Sequence, residues 1–485
     1  MTIKPEPLAV SRARREDIVY MILIDRFHRG GQPADGPAPP FHGGNLAGIR
    51  EKLDYLQDLG VTALWLSPVY KNQPDGCHGY WPVDFYAVDP RFGTMEELVS
   101  LVNDCHRRGM KVLLDKIFNH AGYAHPMAAD PKYKKWFHTD WDIRWVDQKK
   151  LELGSLHGLP DFAHENPEVS RYLIDMALWW IEQTGVDGFR LDAVKHVPIR
   201  FWKQFSEEVH RRAGPDFLLL GEVFRGIPGY LARYQGKDRL DSVFDVPFAD
   251  TARCCLVRDC EEHAPNIFHR LNELRKEYRT MLYNEVLRKL FDRHPSDMRR
   301  FSELLRSDKV YKDAELLAPI IDNHDLARFI SEAGGSEERL RLALTVLVTW
   351  RGIPVITYGT ECGLGGRTEG SNRAPMPFGE NPGLHAFTRK LIEFRKTTPA
   401  LTRGAMTEIL ADRQVFAWLR AAGDSKVLVA VNNSRDPQER SLQLPASVKP
   451  GGAWTDLFGQ ERFKMDGAEL NLKLKPRSAV VLSLN

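Results

Sequence analysis

Three carboxylates in this chain follow short apolar runs. Asp192 comes after Val186-Asp187-Gly188-Phe189-Arg190-Leu191, Glu222 after Phe217-Leu218-Leu219-Leu220-Gly221, and Asp325 closes Ile320-Ile321-Asp322-Asn323-His324-Asp325. Short apolar runs bounded by turn residues read as buried parallel strands, which puts each acid near a strand's C-terminal end. Acids gathered there are what a barrel enzyme needs, because several strands converge on one pocket. Two carboxyls facing each other can break a glycosidic bond. One, protonated, gives its proton to the leaving oxygen; the other, ionised, attacks or stabilises the carbon left behind. Arg190 stands two residues before Asp192, a spacing that puts both side chains on one face of a strand, where the guanidinium can keep Asp192 ionised. The apolar run before Glu222 predicts surroundings suited to a proton donor. His324 and Asp325 add a neutral donor and a third acid that could hold sugar hydroxyls.

Singly, each signal also has a plain structural reading. Arg190 and Asp192 could be a structural ion pair, Glu222 an acid at a helix N-terminus, and Asp322 to Asp325 a capped turn. Their weight comes from falling together at strands four, five and seven of one array.

That array must position them. Strand-like segments at 18–24, 61–66, 111–117, 188–191, 217–220, 242–245, 317–321 and 353–358 alternate with amphipathic stretches at 46–59, 95–108, 167–183, 201–212 and 337–350. Eight strands alternating with helices predict an α/β fold of the (β/α)8 TIM-barrel type. Thr94 and Glu97 form a capping-box pattern, and Gly60, Gly109 and Gly185 stand where helix-ending glycines belong. Residues 121–165, rich in aromatics, His, Asp and Pro, read as a small excursion over the barrel mouth, so the barrel spans 1–120 and 166–401. A densely charged stretch at about 258–312 has helical apolar spacing and reads as an insertion. From 402 to 485 short alternating segments separated by turn residues predict a C-terminal antiparallel β-sandwich.

The chain has 485 residues, 43% of them hydrophobic and 27% charged, as expected of a soluble globular protein with two or three domains. A net charge of +2 gives no electrostatic reason to expect nucleic acid or an anionic membrane as partner. The first apolar stretch is too short for a signal core or a membrane span, and no later segment reaches spanning length. The six cysteines show neither a regular framework nor a CxxC pair, so reduced thiols in a cytoplasmic protein are expected. Cys254, Cys255 and Cys260 lack a fourth ligand at suitable spacing and read as ordinary burial rather than a metal cluster. Oligomeric state does not follow from the sequence.

Four segments carry a family likeness: Asp115-Lys116-Ile117-Phe118-Asn119-His120, Gly188 to His196, Gly221-Glu222-Val223-Phe224 and Ile321 to Asp325. His78-Gly79-Tyr80-Trp81, Leu159-Pro160-Asp161-Phe162 and Gly352 to Glu361 support it. With these motifs in this order, the chain resembles glycoside hydrolase family 13, the α-amylase family. The resemblance implies a retaining hydrolase of α-1,4-glucosidic bonds in maltooligosaccharides and starch-type glucans, working through a covalent glycosyl-enzyme. It implies Asp192 as nucleophile, Glu222 as general acid/base and Asp325 as transition-state stabiliser. Tyr80, His120, Arg190 and His324 would surround the reacting sugar, Tyr80 by stacking on it, and Lys195 and His196 would meet sugars on the leaving side. Asn119, Asp161 and the carbonyl of His196 match positions that bind a structural Ca2+ in many members. Lys116 and Phe118 depart from the small apolar residues usual in the first motif, and the insertion matches no family pattern.

Three other readings compete. A transglycosylase, or a cyclomaltodextrinase or neopullulanase-type enzyme, would carry the same three acids. A non-catalytic relative would be expected to lack at least one of them. A metal-dependent barrel hydrolase would show a His-x-His after the first strand, where this chain has Asp25-Arg26-Phe27-His28.

Overall fold

The predicted strands fold into one parallel sheet: β1 Val19–Ile22, β2 Ala63–Leu66, β3 Lys111–Lys116, β4 Gly188–Leu191, β5 Leu218–Gly221, β6 Ser242–Asp245, β7 Ala318–Pro319 and β8 Val355–Thr357. The computed structural model describes residues 3–8, 14–31, 40–138, 143, 147–259, 296–459 and 461–484. The sheet runs β7-β6-β5-β4-β3-β2-β1-β8, so every ladder but one joins sequence neighbours. Between the two edge strands β7 and β8, Ile353 N–H donates to the Leu317 carbonyl at 2.8 Å. Thr357 Oγ1 donates to the Asp322 carbonyl at 2.9 Å, which closes the array as a barrel. β7 and β8 are shorter than their apolar runs because Pro319 and Pro354 have no N–H to give a ladder.

The helix signals hold where capping chemistry is local. Helix Met95–Arg107 starts in a full capping box: Glu97 N–H donates to Thr94 Oγ1 at 3.2 Å, and Thr94 N–H donates to Glu97 Oε2 at 2.8 Å. Gly60 and Gly185 end helices Leu53–Leu59 and Pro167–Thr184 at φ 93° and 67°, a left-handed conformation that costs glycine nothing. The stretch expected as one helix at 46–59 is two, Leu46–Glu51 and Leu53–Leu59, which meet at Lys52 with φ −104° and ψ 9°. The break lets Gly48 pack against the backbone of His28 and Gly30 while Leu53, Leu56 and Leu59 face the core.

The excursion after β3 is tied back by a two-residue antiparallel pair, Phe137–His138 with Asp161–Phe162. Of the charged stretch expected as a helical insertion, residues 260–295, Cys260 included, lie outside the described residues; Arg299–Arg306 is a helix.

Beyond the barrel, a six-stranded antiparallel sheet built from Ala405–Ala411 to Ser478–Leu484 faces a two-stranded ribbon, Gln438–Gln443 with Glu469–Leu474. Val415, Leu428, Trp454, Leu442 and Leu470 fill the space between them. Alternate residues on the other face, Phe416 and Trp418, pack against Phe301 and Trp350 of the barrel.

Candidate active site

Register brings the first two acids together. Across β3 and β4, Asp115 pairs with Arg190; across β4 and β5, Leu191 pairs with Gly221. The next residue on each of the latter strands is an acid, so Asp192 and Glu222 leave the sheet side by side. Their backbones continue the ladder: Asp192 N–H donates to the Lys116 carbonyl and Glu222 N–H to the Leu191 carbonyl, both at 2.9 Å.

Arg190 is wholly buried and its guanidinium serves three carboxylates. Nη1 lies 3.0 Å from Asp115 Oδ1 and 2.8 Å from Asp192 Oδ1, and Nη2 lies 2.7 Å from Glu222 Oε1. The expected one-to-one pairing of Arg190 with Asp192 is therefore a shared one. Asp115 also accepts from Trp65 Nε1 at 3.0 Å and from the Tyr80 hydroxyl at 2.8 Å. Burial pushes the Asp115 carboxyl up to about 6, against the pull of Arg190. Burial also raises Asp192 well above the usual carboxylate range; Arg190 opposes this, while Glu222, Asp115 and Asp325 add to it. One cation shared by Asp115 and Asp192 favours retention of a proton between them, and the two titrate together. Glu222 does not meet the apolar surroundings its preceding run suggested. Past the strand end its Oε1 faces Arg190 and its Oε2 accepts the Ala193 N–H at 3.1 Å. Ala193 takes a left-handed conformation, φ 50° and ψ 34°, to aim that N–H.

Asp325 stands apart from this cluster. Its side chain is 41% exposed, against 12% for Asp192 and Glu222. Its cation is Arg373, with Nη2 at 2.8 Å from Oδ1. His324 Nε2 is 3.3 Å from the other oxygen. The His324 ring lies parallel to Tyr80, with centroids 5.4 Å apart and 6° between planes. His120 Nε2 is 3.1 Å from the Tyr80 carbonyl. Burial pushes His120 down to about 4 and His324 well below its usual value, so both rings are neutral near pH 7.

Lys195 Nζ donates to the Phe224 carbonyl at 2.8 Å, and burial pushes it down to about 8. His196 Nδ1 is 3.3 Å from the Leu151 carbonyl, which joins this loop to the excursion.

Asn119 and Asp161 meet where the excursion returns to the barrel. Phe162 N–H donates to the Asn119 carbonyl at 2.9 Å, and the Asn119 side chain lies beside the Asp161 carboxyl. Asn119 Oδ1 and Asp161 Oδ1 are both buried with no hydrogen-bond partner among the described residues. Both are hard oxygen donors of the kind that calcium takes. Asp161 Oδ2 is taken by His138, with Nδ1 at 2.7 Å; the far nitrogen of that ring is 2.9 Å from Glu165 Oε1.

Sequence reasoning missed Arg373, His138 and the alanine conformation at 193. It also missed His78, whose ring lies near-parallel to Tyr80 at 5.8 Å and which the charges of Arg373 and Asp325 both reach. His78 was visible inside the quoted His-Gly-Tyr-Trp segment; Arg373 had no local signal.

Known proteins share this fold. The model of the α-amylase catalytic domain matches residues 21–321 and 298–378, and that of the maltogenic amylase C-terminal domain matches 407–481. Neopullulanase 2 of Thermoactinomyces vulgaris is 32% identical over 497 residues, covering 96% of this chain and 77% of that protein. An intracellular maltogenic amylase of Bacillus subtilis is 28% identical over 469 residues, 91% of this chain and 73% of that one. The α-amylase of Geobacillus thermoleovorans, solved with acarbose, superposes with a TM-score of 0.86 at 35% identity over 98% of this chain and 99% of that one. By its barrel, by the acids at the ends of β4 and β5 and by these matches, the chain belongs to the α-amylase family of glycoside hydrolases, family 13.

Proposed function

We propose that this enzyme hydrolyses α-1,4-glucosidic bonds in maltooligosaccharides and starch-type glucans with retention of configuration. The observation that carries this reading is the Arg190 guanidinium, which reaches Asp192 at 2.8 Å and Glu222 at 2.7 Å. A shared cation keeps two acids close and lets one hold a proton while the other is ionised. Glu222 gives its proton to the glycosidic oxygen as Asp192 Oδ forms an ester with the anomeric carbon. Glu222, now a carboxylate, then takes a proton from the water that attacks the same carbon and frees Asp192. Asp325 serves as the third acid. Tyr80, His120 and His324 line the reacting sugar, and Lys195 and His196 the leaving side. A retaining pair stands roughly 5–5.5 Å apart, the separation this mechanism requires.

Calcium, where bound, would be held by Asn119, Asp161 and the carbonyl of His196, and would supply neutralising charge and rigidity to the root of the excursion. Among the described residues no helix is long and apolar enough to cross a membrane. We place the enzyme inside the cell, acting on maltooligosaccharides, in keeping with the intracellular relative.

Maltoheptaose, a cyclodextrin and pullulan digested side by side, with products followed by proton NMR, test the reading. Shorter maltooligosaccharides released first as the α-anomer support it. First-formed β-anomer, or no cleavage of maltoheptaose, contradicts it, and products longer than the substrate would assign a transglycosylase instead.

A further inference from the structure

The third acid answers to a different arginine from the other two. Arg373 follows helix Glu369–Asn372, in the loop region after β8. Its Nε donates to the His324 carbonyl at 2.9 Å and its Nη2 to Asp325 Oδ1 at 2.8 Å. Nη1 pairs with Glu369 Oε1 at 2.7 Å. Adjacent nitrogens of one planar group thus hold the backbone and the side chain of neighbouring residues. Asn372 reinforces the grip, with Nδ2 donating to the same His324 carbonyl at 3.0 Å and to the Leu326 carbonyl at 2.8 Å. Arg328 Nε in turn holds the Asn372 carbonyl at 2.9 Å.

The turn that carries Asp325 fixes only backbone: the N–H groups of Asp325 and Leu326 both donate to Asn323 Oδ1 at 2.9 Å. The carboxylate itself is 41% exposed, with His324 Nε2 3.3 Å from its other oxygen, whereas Arg373 is only 11% exposed and braced from behind. We propose that Arg373 is a positioning residue for Asp325. Its fork aims the carboxylate at the sugar and keeps it there through the reaction. This rests on the reading of Asp325 as the third acid of a glucan-cleaving site. A lysine has one compact charge and cannot bond the carbonyl and the carboxylate in the same fixed geometry.

Steady-state kinetics on maltoheptaose with Arg373→Gln and Arg373→Lys, each alone and in an Asp325→Asn background, test this. Loss of a charge-assisted, geometry-setting contact predicts a fall in kcat of about 10–100-fold for Arg373→Gln, with KM nearly unchanged. Arg373→Lys recovers part of the loss. In the Asp325→Asn background Arg373→Gln costs less than about threefold, because the residue it acts through is already neutral. Equal losses in both backgrounds, an unchanged kcat, or a loss confined to KM would overturn the proposal; the last would make Arg373 a sugar ligand. If Arg373→Gln does not fold, Arg373→Lys in the two backgrounds carries the same comparison. Absence of wild-type turnover on maltoheptaose would remove the functional reading and this proposal together. Wild-type turnover with an indifferent Arg373→Gln removes the positioning role alone.

Discussion

Asp115 on β3 and Arg190 on β4 face each other in register, and Arg190 Nη1 lies 3.0 Å from both oxygens of the Asp115 carboxylate. The pair sits at the floor of the site, with the Tyr80 hydroxyl and the Trp65 indole on the same carboxylate. Arg190 is thereby fixed from below and presents its remaining contacts to Asp192 and Glu222 above.

Removing that guanidinium should be costly. Arg190→Met leaves the buried acids Asp115 and Asp192 without their cation, and stability should fall by about 3–5 kcal/mol, the usual result of breaking a buried pair. The sign with pH follows from the acids. Without Arg190 the folded pKa values of Asp115 and Asp192 rise further above the unfolded ones, so protonation supports the folded variant and its deficit widens as pH rises. Urea denaturation at pH 5 and pH 8 checks this; equal deficits at both would contradict it.

Ala193 is a non-glycine residue at φ 50°, immediately after Asp192. Left-handed backbone costs a residue with a Cβ about 1–2 kcal/mol, more when it is β-branched. Ala193→Gly should leave stability unchanged or slightly raised, and Ala193→Val should lower it by about 1–3 kcal/mol and displace the N–H held on Glu222. Thermal melts and kcat on maltoheptaose read both effects. A harmless valine would show that this backbone is not under constraint.

Lys116 presents a wholly buried ammonium with no hydrogen-bond partner among the described residues, boxed by the rings of Trp180 at 4.0 Å, Tyr70 at 4.6 Å and Phe189 at 5.4 Å. Burial pushes its pKa well below the usual lysine value. Because the unfolded chain binds this proton more tightly, stability rises with pH between the folded pKa and the ordinary lysine value, and the penalty is full below the folded pKa. Lys116→Met should stabilise the protein by about 1–4 kcal/mol near neutrality, with the gain shrinking towards pH 10. A destabilised methionine variant would show that the ring–cation attraction outweighs desolvation.

How much of this was legible in the sequence depends on range. Asp192, Glu222 and Arg190 could be found because strand register is periodic, and a motif at the end of one apolar run predicts where its side chains go. The eight strands and the capping box at Thr94 followed from equally local signals. Arg373 could not be found that way. It lies 48 residues from Asp325 in a polar loop, and only the folding of the two loops over the barrel mouth joins them. His138 is similar: no local pattern marks the ring that bridges Asp161 and Glu165. The apolar run before Glu222 misled because Leu218 to Leu220 lie within β5, whereas Glu222 lies beyond its end.

Chelation tests whether Asp161 has a cation besides His138. If Asn119 and Asp161 hold calcium, EDTA should lower the melting temperature by several degrees and added calcium should restore it, as expected when a ligand binds only the folded state. A melting temperature indifferent to EDTA would assign the charge of Asp161 to His138 alone.

The account stands on Asp192 attacking the sugar while Glu222 moves the proton. The most direct test treats Glu222→Gln with a fluorinated maltosyl fluoride, whose leaving group needs no acid, and maps the labelled peptide by mass spectrometry. The account predicts one glycosyl ester, on Asp192; a label on any other residue, or turnover without a trapped ester, would contradict it.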